Sequence, residues 1–143
     1  MILLDTNVIS ELIQPQCNAA VRHYVGLLTP ETVFTAAICE AEIRYGLARM
    51  ADGRRRAELT ARIDAFFDSR FPDQVLRFDR MCASVYGDIR TAREAAGKPI
   101  TVEDAMIAAT AAAYGMTAIA TRNVRDFADC GVSLVDPWTS TAD

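Results

Sequence analysis

The sequence predicts an α/β fold with a mainly parallel sheet. Two observations carry this. Short apolar, β-rich runs alternate with segments of helical periodicity along the whole chain. No internal repeat, low-complexity tract or linker interrupts them, and 143 residues suit a single domain over 1–143.

Met1–Asp5 is the first strand: an apolar run of this length reads as buried. Helices follow over Asn7–Ile13, stopped before Pro15, and over about Ala19–Leu28. Thr29-Pro30-Glu31 is a turn signal, and Thr32–Ala36 is the second strand. A helix over Ile38–Met50 ends at Asp52-Gly53. The next, Arg54–Arg70, carries Leu59, Ile63, Phe66 and Phe67 at helical spacing. Pro72-Asp73 breaks it, and Gln74–Phe78 is the third strand. Asp79 caps a long helix with Cys82, Val85, Tyr86 and Ile89 on one face, ended by Gly97-Lys98-Pro99. Thr101 opens an Ala-rich helix to Tyr114, with Gly115 as its stop. Thr117–Thr121 and Val132–Val135 are the last strands. Right-handed crossovers bring the C-terminal ends of all these strands to one edge of the sheet.

That edge is where sites form in parallel α/β sheets, and four acids point to it. Asp5 ends the first strand, with Thr6 and Asn7 directly after it. Alone it is equally a helix cap. Glu42 shares a helical face with Ile38, Tyr45 and Gly46, an odd place for an idle carboxylate. The plain alternative pairs it with Arg44 or Arg49, whereas Glu40 pairs with Arg44 at i,i+4. Asp104 stands three residues after Thr101, the capping-box arrangement, at the mouth of a helix whose next residues are small and apolar. Asp126 follows the Thr117–Thr121 strand, and a turn role explains it equally well, as it does Asn123. Asp79 is an N-cap.

Composition narrows the chemistry. The net charge is -4 and the pI about 5.0, against a general nucleic-acid binder with a basic footprint. Two facts soften this: a bound cation neutralises acids, and all the cations but Lys98 are arginine, which suits phosphate. The single histidine, His23, reads as a surface residue. Ser-His-Asp hydrolases, His-dependent nucleases and zinc sites therefore lack support, and there is no Gly-rich phosphate loop. The four cysteines are scattered and read as reduced thiols. With no signal peptide and no run of 18 apolar residues, the expected compartment is the cytoplasm, with no membrane association. Convergent carboxylates with oxygen-only donors suit Mg2+ or Mn2+, which activate water for displacement at phosphorus.

Four segments resemble the motifs of PIN-domain ribonucleases: Leu4-Asp5-Thr6-Asn7-Val8-Ile9-Ser10-Glu11, Ala41-Glu42-Ile43-Arg44-Tyr45-Gly46, Glu103-Asp104-Ala105-Met106-Ile107-Ala108-Ala109 and Thr121-Arg122-Asn123-Val124-Arg125-Asp126-Phe127. Their order and spacing are similar to the small VapC/FitB type, the toxins of type II toxin–antitoxin modules. The resemblance covers essentially the whole chain. It implies a three-layer α/β/α sandwich with the first strand central, and a metal-dependent endoribonuclease toxin neutralised by a small cognate antitoxin. Asp5, Glu42 and Asp104 match the metal-site acids. Many members carry an acid where this chain has Asn123, while Asp126 matches the later acid before Phe; both are candidates for the fourth position, with Asp126 supplying the charge. Thr6 and Asn7 would orient the first carboxylate, and Thr121 and Asn123 would supply supporting polar contacts. The resemblance also implies a homodimer and contact with DNA only through the antitoxin. Two other readings use the same residues: a catalytically silent PIN-fold protein acting through antitoxin binding, and a metal-dependent phosphatase or DNA nuclease.

Overall fold

The computed structural model describes residues 1–140. Five short strands form one sheet: β1 (Ile2–Leu4), β2 (Val33–Ala36), β3 (Val75–Leu76), β4 (Ala118–Ala120) and β5 (Ser133–Val135). Their order is β3-β2-β1-β4-β5, and every pairing is parallel. Six α-helices connect and flank them: α1 (Thr6–Ile13), α2 (Ala19–Gly26), α3 (Ala37–Ala48), α4 (Arg54–Arg70), α5 (Arg80–Ala95) and α6 (Val102–Ala113).

The strands are shorter than their apolar runs. Asp5 and Thr121 each fall one residue past the register pair Leu4↔Ala120, so the apolar alternation stays while the ladder stops. Pro30–Thr32 forms a 3-10 turn ahead of β2, and Val124–Phe127 forms another that no periodicity announced. Helix α4 has the expected bounds. Glu42 lies in the second turn of α3, which starts at Ala37 directly from β2.

The order of connections decides where a site can lie. From β1 the chain steps outward to β2 and β3, then returns to the other side of β1 for β4 and β5. The winding direction reverses between β1 and β4, and right-handed crossovers then place helices on both faces. A crevice opens at such a reversal, outside the C-terminal ends of the two strands. Asp5 and Thr121 are the residues on its two sides.

The core that holds this edge is densely apolar. Leu3, Leu4 and Ile119 on the central strands are buried with Val8 and Ile9 of α1. Helix α6 buries Ala105, Ile107, Ala108, Ala109 and Ala111, so its backbone packs close to β2 and β4. Its small side chains are what set Asp104 near the sheet edge. Helix α5 lies along α6. It buries Cys82, Ile89 and, unexpectedly, Arg93.

Candidate active site

A cleft of about 440 Å³ opens at the C-terminal ends of β1 and β4, walled by α1, α3 and α6. Asp5, Glu42 and Asp104 line it together with Thr6, Asn7 and Asn123.

Asp5 is the anchor. Only 4% exposed, it has both carboxylate oxygens occupied: Thr6 N donates to Oδ1 and Thr121 Oγ1 donates to Oδ2, each at 2.7 Å. Its backbone carbonyl accepts from the Val8 and Ile9 amides, so it also caps α1. The Thr121 hydroxyl is a junction. It donates to Asp5 and accepts from Asn7 Nδ2 at 3.3 Å and from the Asn123 amide at 3.0 Å. One proton and two lone pairs are all a hydroxyl has, so it is saturated. Asn7 closes the ring by accepting from the Arg122 amide through Oδ1.

Glu42 accepts from Thr6 Oγ1 at 2.9 Å. Thr6 therefore holds two acids, one through its amide and one through its hydroxyl. Neither suggested partner reaches Glu42. Arg44 binds Glu40 and Asp64, and the Arg49 guanidinium lies over the Tyr45 ring. Tyr45 itself is 65% exposed, so Glu42 does not share a buried face with it. It faces the cleft because α3 sets it across from Thr6. Asp104 keeps its capping role through its amide, which donates to Thr101 Oγ1 at 3.2 Å. Its carboxyl lines the cleft, where the Thr101 side chain offsets part of the rise in its pKa.

Asp126 stands apart. It is exposed on the Val124–Phe127 turn and does not line the cleft, whereas Asn123 does. Its charge still reaches the site, helping to raise the pKa of both Asp5 and Asp104. Arg93, not anticipated from sequence, holds that turn. It is 5% exposed, and its guanidinium donates to the carbonyls of Lys98, Asp126 and Ala128. One side chain thus ties the approach to α6 to the loop after β4. The cleft wall also includes Arg122, to which the fourth motif segment assigned no role, Trp138, which lies outside the four segments, and Glu11. The Glu11 carboxylate accepts from the Asn18 amide at 2.6 Å and so fastens the α1–α2 turn.

The electrostatics are those of an uncompensated anionic site. Burial raises the pKa of Asp5, Glu42 and Asp104 above the ordinary range, and the acids repel one another on top of that. Asp104 reaches about 6. None of the three takes part in an ion pair among the described residues. Also among these residues, no three Asp, Glu, His or Cys side chains close into a compact cage. An open, oxygen-only site with unpaired charge fits a hard cation such as magnesium, which keeps several waters and takes only one or two carboxylates. Among the described residues, neither a histidine nor a cysteine lines the cleft. His23 is exposed on α2, outside the cleft lining, and burial pushes the Cys39 thiol up to about 12. All four cysteines are unpaired.

Comparison with known proteins follows this geometry. A sequence profile of the PIN domain matches residues 2–131. The chain belongs to the PIN-domain family, in its VapC/FitB group. It is 38% identical over 138 residues to the toxin FitB of Neisseria gonorrhoeae, covering 96% of this chain and 99% of the relative. It is equally similar to the VapC ribonuclease Y4jK of Sinorhizobium fredii, at 38% over 96% of this chain and 98% of that one. Among solved structures, FitAB bound to a DNA fragment superposes with a TM-score of 0.90 at 37% identity, over 99% of each chain. No helix among the described residues is long and apolar enough to cross a membrane.

Two predictions arise here. Because the Asp104 pKa is raised in the folded chain, its contribution to stability is fully present below the ordinary value of 3.8 and is lost as pH rises through about 6. The melting temperature of chelator-treated protein should therefore carry a component that falls between about pH 4 and 7, and Asp104→Asn should remove that component. A melting series that is identical in the two proteins contradicts the burial of this charge. Replacing Arg93 by Met removes the donors to three carbonyls, so unfolding in urea should show a loss of about 2–4 kcal/mol. A change under about 0.5 kcal/mol, the scale of ordinary surface substitutions, would mean that Arg93 does not hold the loop.

Proposed function

We propose that this chain is a metal-dependent endoribonuclease toxin that cleaves RNA backbone phosphodiesters and is held inactive by a small cognate antitoxin. The observation that carries the reading is the meeting of Asp5, Glu42 and Asp104 in one cleft, each unpaired and each with its pKa raised. The relatives support it further. One is named a VapC ribonuclease, another a toxin, and the superposed FitAB complex is bound to DNA. Contact with DNA is then indirect, through the antitoxin.

Asp5, Glu42 and Asp104 would hold a magnesium or manganese ion. When bound, such a cation supplies the positive charge that offsets charge developing on a phosphodiester under attack by water. The chain's own residues prepare the site. Thr6 and Thr121 fix the Asp5 carboxylate, and Thr6 also fixes Glu42, so these ligands need little reordering on loading. Asp126 adds negative potential from the rim, and Asn123 supplies a neutral polar wall. Thr121 and Asn7 support Asp5 and the backbone after β4.

Asp5→Asn keeps the shape and removes an anionic ligand. Cleavage of total RNA with magnesium should fall by at least about a hundredfold. Millimolar manganese should raise the melting temperature of the wild type by mass action and leave the variant nearly unmoved. A purified variant that still cuts RNA would sink the assignment of Asp5.

Glu42 and Glu40 make an internal control on one helix. They sit two positions apart, about 200° around the axis. Glu40 is committed to Arg44 at 2.8 Å, a half-exposed pair worth about 0.3–0.5 kcal/mol. Glu42→Gln should abolish cleavage and cease to arrest growth in a host lacking the antitoxin. Glu40→Gln should remain toxic and melt within about 2 °C of the wild type. The opposite pattern would require the site to be redrawn around Glu40.

A further inference from the structure

We propose that Arg93 is a positioning residue for the cation site, fixing Asp104 against the loop after β4 much as the threonines fix Asp5 and Glu42. This rests on the metal-dependent reading of the cleft and adds to it a residue that touches neither cation nor RNA.

The three acids are not held alike. Thr121 reaches Asp5 from the end of β4, and Thr6 reaches Glu42 from α1. Among the described residues, no donor from another strand or helix reaches the Asp104 carboxylate; Thr101, beside it, starts the same helix. Where that carboxylate stands therefore follows from where α6 begins. The body of α6 leaves this open. Its buried face is mostly alanine, and small side chains allow close approach while making shallow ridges that interlock weakly along the axis. The first turn of a helix is also the part that its own hydrogen bonds hold least.

Arg93 holds that first turn from outside. The segment from α5 into α6 turns at Gly97, whose φ is 71°, and is clipped at Lys98. The Lys98 amide donates to the Arg93 carbonyl at 2.9 Å, and Arg93 Nε donates back to the Lys98 carbonyl at 2.6 Å. On its far side, Arg93 Nη1 donates to the carbonyls of Asp126 at 3.1 Å and Ala128 at 2.6 Å. The Asp126 amide donates to the Asn123 carbonyl at 3.0 Å, and Asn123 lines the cleft. One guanidinium thus sets the width between the entrance to α6, which carries Asp104, and the turn that begins at Asn123. Arg93 has no carboxylate partner among the described residues. Burying a cation without one is costly. A planar, rigid fork spans both segments at once, which an ammonium on a flexible stem does not.

The test is manganese affinity, measured by titration calorimetry in the cold on chains shown to be folded by circular dichroism. Arg93→Lys keeps the charge but not the fork. It should weaken manganese binding about 10–100-fold, the usual cost of losing a group that orients a metal ligand. Lost stability alone does not do this, since the apparent affinity stays at its intrinsic value while the folded state predominates. In an Asp104→Asn chain the same change should cost less than about threefold, because the ligand that Arg93 positions is already gone. Arg90→Ala removes a partly exposed guanidinium of the same helix, bound to Tyr86 and Glu94, and should stay within about twofold of the wild type. If Arg93→Lys does not fold, Arg93→Gln, whose amide reaches one segment only, carries the same comparison. Unchanged manganese affinity overturns the inference. So does an equal loss with and without Asp104, which would mean that Arg93 acts on the whole cleft and not through that acid. A wild type that binds no manganese overturns this inference and the metal-dependent reading together. A wild type that binds manganese and cuts no RNA overturns the ribonuclease reading alone.

Discussion

The hydrogen bond from Thr121 to Asp5 joins residues 116 positions apart, and the site exists only where it can form. A carboxylate at 4% exposure is costly unless donors replace its water. Here one donor is local, the amide that starts α1, and the other comes from the neighbouring strand. The second donor requires β1 and β4 to be adjacent, parallel and in a register that ends both at the same level. A slip of one residue would turn the Thr121 side chain to the opposite face. The winding reversal between these strands and the chemistry of the cleft are therefore one constraint.

The contrast between Asp5 and Asp79 shows how placement alone decides what an acid does. Both follow a strand and both start a helix. Asp79 is open to solvent, and the Tyr114 hydroxyl and the Cys82 amide hold its pKa below the ordinary range. Asp5 lies under the crevice with other acids facing it, and burial drives its pKa up. Charges held together against their own repulsion are the mark of a site built for something other than stability. The folded chain tolerates them because the surrounding polar atoms are satisfied: among the described residues, no buried side-chain nitrogen or oxygen lacks a partner.

The sequence made the architecture legible where period and punctuation agreed. Helix α4 has its expected bounds because Gly53 and Pro72 flank an uninterrupted amphipathic run. The strands were read too long, because an apolar run continues past the point where its partner strand has ended. Asp5, Glu42 and Asp104 could be singled out from motif order and strand ends. Their supports, Thr6, Asn7, Thr121 and Asn123, came through the resemblance alone, and which atoms Thr6 and Thr121 hold depends on neighbours brought together only by the sheet. Tyr45 misled because helical spacing defines a face without saying what covers it. Nothing in the sequence sets Arg93 apart from the other arginines, and the packing of α5 along α6 buries it. Asn123 and Asp126 were separable only once the 3-10 turn had placed one on the cleft and the other outside it.

Arg93 has one further property. Its partners are backbone carbonyls, which have no proton to lose. The contacts that frame the cleft from behind are likewise mostly hydroxyls, amides and backbone groups. Across the span of acidity in which Asp104 gains or loses its proton, that frame has almost nothing to titrate. The loop and the helix entrance should hold their shape while the charge between them changes. Acidification would then alter how many protons compete for the carboxylates without moving the wall against which they stand.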